Sequence, residues 1–268
     1  MRIPGFIANK YTVSILILAG LLGMDVILHR GMSRVILPKS FLAHLEPANI
    51  EPRASILNVT DKSWYWGIDR LDLLGKIPAQ APGIELDCYW DSVQNCFFVY
   101  HDTDHISNLR ADSLLTAYRS RNKNGAVWFD CKNLSERTCT SALSEWMRLQ
   151  RMFFLQEKMI VESDCLPCLK AIGDSGVYTS YYVPYFNPYQ LEEDSLNQLL
   201  RSLSSQLKEM PTAAVSVYYF QYPVLRQFLP RYPVLTWSTE SNVSVVSLYF
   251  NHQLKADSLV KVILYRPE

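Results

Sequence analysis

Short runs rich in β-branched and aromatic residues recur along the chain from about residue 61 to its end, and helical stretches separate most of them. A hairpin counts as one unit, since both of its runs flank a single short turn. On that count the pattern predicts about eight strand units. They cover residues 64–66, 84–89 with 96–100, 126–131, 159–162, 177–182, 213–218, 234–237 and 260–264.

Between these runs, apolar residues spaced three and four apart predict amphipathic helices, for example over residues 141–157 and 192–207. Strands that alternate with helices pair in parallel and are covered by the helices. Eight such units favour an α/β fold of the TIM (β/α)8-barrel type over an open sheet, and that barrel needs about 250 residues. The chain, with 268 residues, is long enough for it.

The N-terminus carries an apolar run over residues 13–24, preceded by Arg2 and Lys10, interrupted by Asp25 and extended by residues 26–28. The run is shorter than the roughly 20 residues of an ideal membrane span. A cleavable signal peptide has a similar shape, but no small-x-small cleavage site follows. A buried helix of the folded domain is the other alternative. We favour a single-pass membrane anchor, with the C-terminal bulk outside the cytoplasm.

This interpretation divides the chain into an N-terminal anchor or signal segment over residues 1–30, a proline-containing stalk over 31–60 and the barrel over 61–268. The 26 basic and 26 acidic residues balance, so no basic field is present to attract nucleic acid, and we expect no nucleic-acid partner. Six cysteines are compatible either with disulfides in an oxidising compartment or with buried free thiols. They form three close pairs in sequence: Cys88 with Cys96, Cys131 with Cys139, and Cys165 with Cys168.

Charged residues gather where the predicted strands end. Glu85 and Asp87 share one face of the second strand, Asp130 and Lys132 share one face of the next, and Glu162 ends the following one. The ends of parallel barrel strands meet at one mouth, where active sites of this fold are built. We therefore expect these side chains to lie close together.

Several carboxylates buried near one another repel and are costly without compensation. Glu85, Asp87 and Asp130 offer the hard oxygen ligands of Mg²⁺ or Ca²⁺. His101, at the end of the hairpin's return strand, is suited to act as general acid or base, and Lys132 to neutralise an anionic substrate. Each feature also has a structural explanation: an isolated strand motif, a loop histidine or a simple ion pair.

Two motifs give the sequence a specific resemblance: Ile84-Glu-Leu-Asp-Cys88 and Phe98-Val-Tyr-His-Asp102. They resemble the metal-binding and second-histidine motifs of glycerophosphodiester phosphodiesterases, which belong to the phospholipase C-like superfamily of TIM barrels. Three further stretches, at 127–134, 160–163 and 176–182, look more like the menorin-like branch. The similarity covers residues 64–264.

The resemblance implies that Glu85, Asp87 and Asp130 bind a divalent metal, that His101 is one of two catalytic histidines and that Lys132 contacts the phosphate. The superfamily places its first histidine at the end of the first strand, where this chain has Trp66. His29-Arg30 matches the His-Arg pair usual at that position of the superfamily, but it lies too far upstream in this chain. His105 could substitute if its loop folds inward.

Three functions remain open on the sequence. The first is a metal-dependent phosphodiesterase that acts outside the cytoplasm on a phosphodiester of lipid or surface-glycan origin. The second is a catalytically degenerate barrel that binds a phosphorylated lipid or glycan in an envelope assembly system. The third is a structural partner protein held at the membrane by its N-terminal helix.

Overall fold

The computed structural model describes residues 10–28, 41, 45–101, 106–237 and 244–267. They fall into two compact units. The smaller one contains residues 10–28 and 244–256, and the larger one contains residues 41, 45–101, 106–237 and 257–267.

The larger unit is built on nine strands. They are β1 Ser63–Tyr65, β2 Gly83–Asp91, β3 Cys96–Val99, β4 Ala126–Cys131, β5 Met159–Ser163, β6 Tyr178–Tyr182, β7 Ala214–Tyr218, β8 Val234–Trp237 and β9 Val260–Tyr265. Eight of them pair in parallel in the order β1-β2-β4-β5-β6-β7-β8-β9, and β1 also pairs with β9, so the sheet closes into a barrel. Strand β3 is antiparallel to β2 and forms a hairpin with it, but it is not one of the eight strands of the barrel. The predicted TIM-type barrel is confirmed.

Seven α-helices occur in the described residues. They are α1 Lys10–Leu28, α2 Ala111–Ser120, α3 Cys139–Met152, α4 Leu166–Asp174, α5 Glu193–Glu209, α6 Tyr222–Phe228 and α7 Val245–Ala256. The prediction of a helix over residues 141–157 ran too far. The chain leaves α3 at Phe153, and Phe154 adopts a left-handed conformation (φ 53°) that ends the helix and turns its ring outward. Phe154 is 79% exposed instead of buried.

The barrel interior is filled mainly by large inward-facing side chains, including Trp64, Trp128 and Leu235. Trp64 is accommodated because Gly83 faces it from the neighbouring strand. A Cβ atom at Gly83 would lie 2.3 Å from the indole ring, which no side chain tolerates. The charged layer lies above this apolar packing, at the carboxyl ends of the strands.

The N-terminal helix α1 belongs to the smaller unit. Residues 11–28 are long and apolar enough to cross a membrane, and no part of that stretch is buried. The exposure of this helix does not support the alternative of a buried core helix.

Part of the segment predicted as a stalk lies in the larger unit and is hydrogen-bonded along the barrel. The backbone amides of Ala48, Arg53 and Asn58 donate to the carbonyls of Phe228, Thr212 and Glu157 at 2.7, 2.9 and 2.6 Å. The domain boundaries stay a prediction.

One of the three cysteine pairs forms a disulfide, Cys165–Cys168. Cys88, Cys96, Cys131 and Cys139 are free and buried. The hairpin register explains why the Cys88–Cys96 bridge is absent: Cys88 lies opposite Val99, three positions along from the Cys96 pairing. Cys88 instead lies beside Cys131 on β4.

Candidate active site

Three adjacent strands bring the predicted acidic residues into one row. In the parallel register, Asp87 on β2 lies opposite Asp130 on β4, and Asp130 lies opposite Glu162 on β5. Glu85 is one inward-facing position below Asp87 and lies opposite Trp128. Because every second residue of a strand faces the same side, these carboxylates and Lys132 all point into the barrel mouth.

Glu85, Asp87 and Asp130 each place a carboxylate oxygen within 4.8 Å of the others. The Lys132 ammonium lies between two of them: its Nζ is 2.7 Å from Asp87 Oδ1 and also pairs with Asp130. Glu85 Oε2 accepts a hydrogen bond from the backbone amide of Gly67 at 2.7 Å. These contacts join four of the five residues singled out for the site, Glu85, Asp87, Asp130 and Lys132, in one cluster.

The electrostatic balance of this cluster is unfavourable to its negative charges. Burial, reinforced by Asp87 and Asp130, raises the pKa of Glu85 well above its usual range. Burial also raises the pKa of Asp130 to about 6, although the Lys132 ammonium opposes the rise. The pKa of Lys132 itself is raised, because the attraction of Asp130 and Asp87 outweighs the effect of its burial. One lysine therefore compensates several carboxylates only in part.

This donor set fits a divalent cation. Three convergent carboxylates supply the hard oxygen ligands that Mg²⁺ and Ca²⁺ use in proteins. Glu85 and Asp87 are each only 4% exposed, so solvent cannot relieve their mutual repulsion. A cation would relieve it, and the residues present therefore fit the metal that the motif predicts.

Glu162 is a fourth carboxylate in the same row. It is 1% exposed, and its Oε2 has no hydrogen-bond partner within the described part of the chain. Burial and the neighbouring Asp130 raise the pKa of Glu162 well above its usual range. The sequence analysis placed it among the charged strand ends but gave it no role in the site.

A cavity of about 270 Å³ opens above the row of carboxylates. It is lined by Trp66, Glu85, Asp87, His101, Trp128, Asp130, Lys132, Glu162, Tyr182, Trp237 and Leu264. His101 therefore lines the same cavity as the acidic cluster, and the Tyr89 hydroxyl donates to its carbonyl at 3.3 Å. Sequence reasoning missed Trp128, Tyr182 and Trp237. The only available signal was that each occupies an inward-facing position at or near a strand end.

Trp66 stands just after β1, where the resemblance places the first histidine. It lines the cavity, its indole Nε1 is buried with no partner in the described residues, and the Arg266 guanidinium lies 5.6 Å from its ring centroid. His29 and His105, the two alternatives for a second imidazole, lie outside the described residues. In the described chain, His101 is the one histidine lining this cavity.

No protein-family model matches the sequence, and no curated protein matches it. Solved structures match its fold. A glycerophosphodiester phosphodiesterase from Parabacteroides distasonis aligns with a TM-score of 0.51 and 12% identity, over 78% of this chain and 94% of that chain. An Oleispira antarctica phosphodiesterase in complex with the product sn-glycerol-3-phosphate aligns with a TM-score of 0.53, at the same identity and the same coverage of both chains. The menorin-like branch is not confirmed, and the barrel has the fold of the glycerophosphodiester phosphodiesterases.

Proposed function

We propose that this chain is a metal-dependent phosphodiesterase, anchored by α1 and acting outside the cytoplasm on a phosphodiester of lipid or surface-glycan origin. The observation that carries the proposal is the convergence of Glu85, Asp87 and Asp130 beside Lys132 in one cavity. The fold similarity to phosphodiesterases supports the same reaction class.

Glu85, Asp87 and Asp130 would hold Mg²⁺ or Ca²⁺. When bound, the cation supplies positive charge against the phosphoryl oxygens, where negative charge builds during phosphodiester cleavage. Lys132 would bind a second, non-bridging oxygen of the phosphate, since its ammonium already lies between Asp87 and Asp130. His101 would take a proton from the attacking water and give a proton to the leaving oxygen.

The lipid or glycan assignment is supported by the rest of the cavity and by α1. Trp66, Tyr182 and Trp237 give the mouth an aromatic wall against which an acyl-linked glycerol or a sugar ring packs. An anchoring helix would keep the mouth near substrates of the cell envelope.

The proposal is tested with the double variant Glu85→Ala/Asp87→Ala. Wild type should hydrolyse bis(p-nitrophenyl) phosphate in Mg²⁺ or Ca²⁺ and gain thermal stability from the cation. The double variant should lose both, because two of three ligands are gone. Glu136→Ala removes an exposed carboxylate outside the cavity and should behave as wild type. Equal cation stabilisation of wild type and double variant would contradict the metal site.

A second candidate function, a degenerate barrel that binds a phosphorylated lipid or glycan, is favoured by one observation. Trp66 occupies the position expected for the first histidine, and general acid–base groups contribute about 10²–10⁴-fold each. Trp66→His separates the two. In a degenerate barrel it should create or increase hydrolysis, because it restores the missing proton-transfer partner. In an active enzyme it should leave hydrolysis unchanged or lower it.

A further inference from the structure

The smaller unit contains a contact between its two helices that involves the one charged residue of the apolar stretch 11–28. The backbone amide of Val246, in the first turn of α7, donates to Asp25 Oδ2 at 3.1 Å. Asp25 is also the one residue of that stretch that is partly buried, whereas the others are exposed. The acidic interruption of the apolar run therefore has a structural partner, 221 residues away in sequence.

Asp25 completes the N-terminal cap of α7. The first amides of a helix lack intrahelical acceptors, and its N-terminus attracts negative charge. Ser244 Oγ accepts from the amide of Ser247 at 2.7 Å, and Asp25 accepts from the amide of Val246. Because one acceptor comes from α1, the start of α7 is held at the level of Asp25.

That level lies near one end of the apolar helix. Asp25 is three residues before the last residue of α1, Leu28, which is about 4.5 Å along a helix that rises 1.5 Å per residue. Charged side chains are costly at the centre of a bilayer and are tolerated near its surface. A bilayer crossed by α1 would thus place Asp25, and the first turn of α7, close to the lipid headgroups.

Helix α7 exposes an apolar stripe that begins at this turn. Val245, Leu248 and Tyr249, at spacings of three and four, are 57%, 57% and 53% exposed. Phe250 and Leu254 are fully buried. A water-facing helix surface normally carries polar residues. The first turns of the exposed face of α7 are apolar instead, and its buried face is apolar apart from Ser247.

We propose that α7 is an interfacial helix whose stripe of Val245, Leu248 and Tyr249 enters the headgroup–acyl boundary of the bilayer that α1 crosses. The proposal rests on the membrane anchor of the proposed function. A bilayer is the occupant that fits, since the stripe starts beside the residue bonded to α1. Tyrosine is enriched at membrane interfaces, and the basic Lys255 in the last turn of α7 suits anionic headgroups.

The test places an environment-sensitive nitrobenzoxadiazole label on the full chain in vesicles of phosphatidylcholine and phosphatidylglycerol. Three single variants carry it: Leu248→Cys in the stripe, Leu18→Cys in α1, and Leu71→Cys, a matched exposed leucine of the larger unit. The native cysteines are buried or disulfide-bonded, so the new thiols react selectively. Emission should rise several-fold, and spin-labelled lipid should quench it, at positions 18 and 248 but not at 71.

Asp25→Ala, combined with Leu248→Cys, asks whether the cap holds α7 at the membrane. The label at position 248 should lose at least half of its lipid quenching, while a label at position 18 keeps its own. A water-exposed label at 248 beside a lipid-quenched label at 18 would overturn the interfacial helix and leave the anchor standing. Water exposure at both positions would overturn the anchor as well. Protection at 248 that disappears when the protein is diluted within the vesicles would assign the stripe to a second copy of the chain.

Discussion

The mouth of the barrel has two unlike halves. Strands β2, β4 and β5 carry the carboxylates, and Lys132 directly follows β4. On the other side, Trp66 directly follows β1, and β6 and β8 end in Tyr182 and Trp237. In the aromatic half two side chains pack against each other: the rings of Tyr182 and Trp237 lie nearly parallel, at 12°, with centroids 6.1 Å apart. In the acidic half, burial raises the pKa of Glu85, Asp130 and Glu162, so packing disfavours the charges it brings together.

This difference favours separate roles for the two halves in chemistry and in substrate binding. An arrangement that is unfavourable on its own persists where a ligand compensates it, and perturbed ionisable groups cluster at functional sites. The acidic half therefore suits chemistry on a charged group. The aromatic half, which needs no counter-charge, suits recognition of the organic part of a substrate.

The largest expected effect is on turnover and comes from His101, which follows β3, the hairpin partner of β2. His101→Ala should lower kcat on bis(p-nitrophenyl) phosphate by about 10²-fold or more, because it removes the proton-transfer group that lines the cavity. The measurement is steady-state kinetics at saturating Mg²⁺ or Ca²⁺. His252→Ala, an exposed histidine of α7, is the control and should keep wild-type kcat. Unchanged turnover in His101→Ala would remove the histidine from the mechanism.

The two halves also differ in how many of their residues could be predicted from the sequence. One residue separates Glu85 from Asp87, and one residue separates Asp130 from Lys132. Because alternate residues of a strand face the same side, this spacing alone placed each pair on one face of its strand. The aromatic half has no such spacing. Tyr182 and Trp237 are 55 positions apart and meet because β6 and β8 lie on either side of β7, and an aromatic residue at a strand end is equally typical of a core.

The remaining differences have similar physical causes. Strand positions followed from apolar runs to within a residue or two, because each strand is buried by the helices around it. The end of α3 depended on a single left-handed residue, Phe154, which hydrophobic spacing does not encode. Cysteine contacts depended on strand register: Cys88 and Cys131 are adjacent across β2 and β4, although 43 residues separate them.

An intermediate effect is expected from the aromatic half. Trp237→Leu should raise KM for bis(p-nitrophenyl) phosphate by about 3- to 10-fold, because one aromatic stacking contact contributes roughly 0.5–1.5 kcal/mol. Its kcat should change little, since no charged group is touched. Phe154→Leu, at an exposed phenylalanine outside the cavity, should match wild type. A large fall in kcat with unchanged KM would show that Trp237 acts in the chemical step, and it would contradict the separation of binding and chemistry between the two halves.

The smallest expected effect is on stability, and it concerns Asp130. Its pKa is raised by burial to about 6 in the folded chain, whereas an unfolded aspartate titrates near 3.9. Between these two values the folded protein binds more protons than the unfolded one, so the free energy of unfolding falls as pH rises from about 4 to about 6. A divalent cation competes with those protons and favours the charged carboxylate, so it should stabilise the protein more at pH 7.5 than at pH 5.

Thermal melts of wild type and Asp130→Asn from pH 4.5 to 8 isolate this group. Without cation, wild-type Tm should fall relative to that of Asp130→Asn by about 2–5 °C as pH rises through 6, since the amide cannot acquire the unfavourable charge. Adding Mg²⁺ or Ca²⁺ should shrink or reverse that difference above pH 6, because the cation compensates the carboxylate that Asn lacks. Trp237→Leu should keep the wild-type pH dependence, since its half of the mouth contributes no carboxylate. If the Tm difference between wild type and Asp130→Asn does not vary with pH, then burial is not what opposes this charge, and the acidic half is no less stable than the aromatic one.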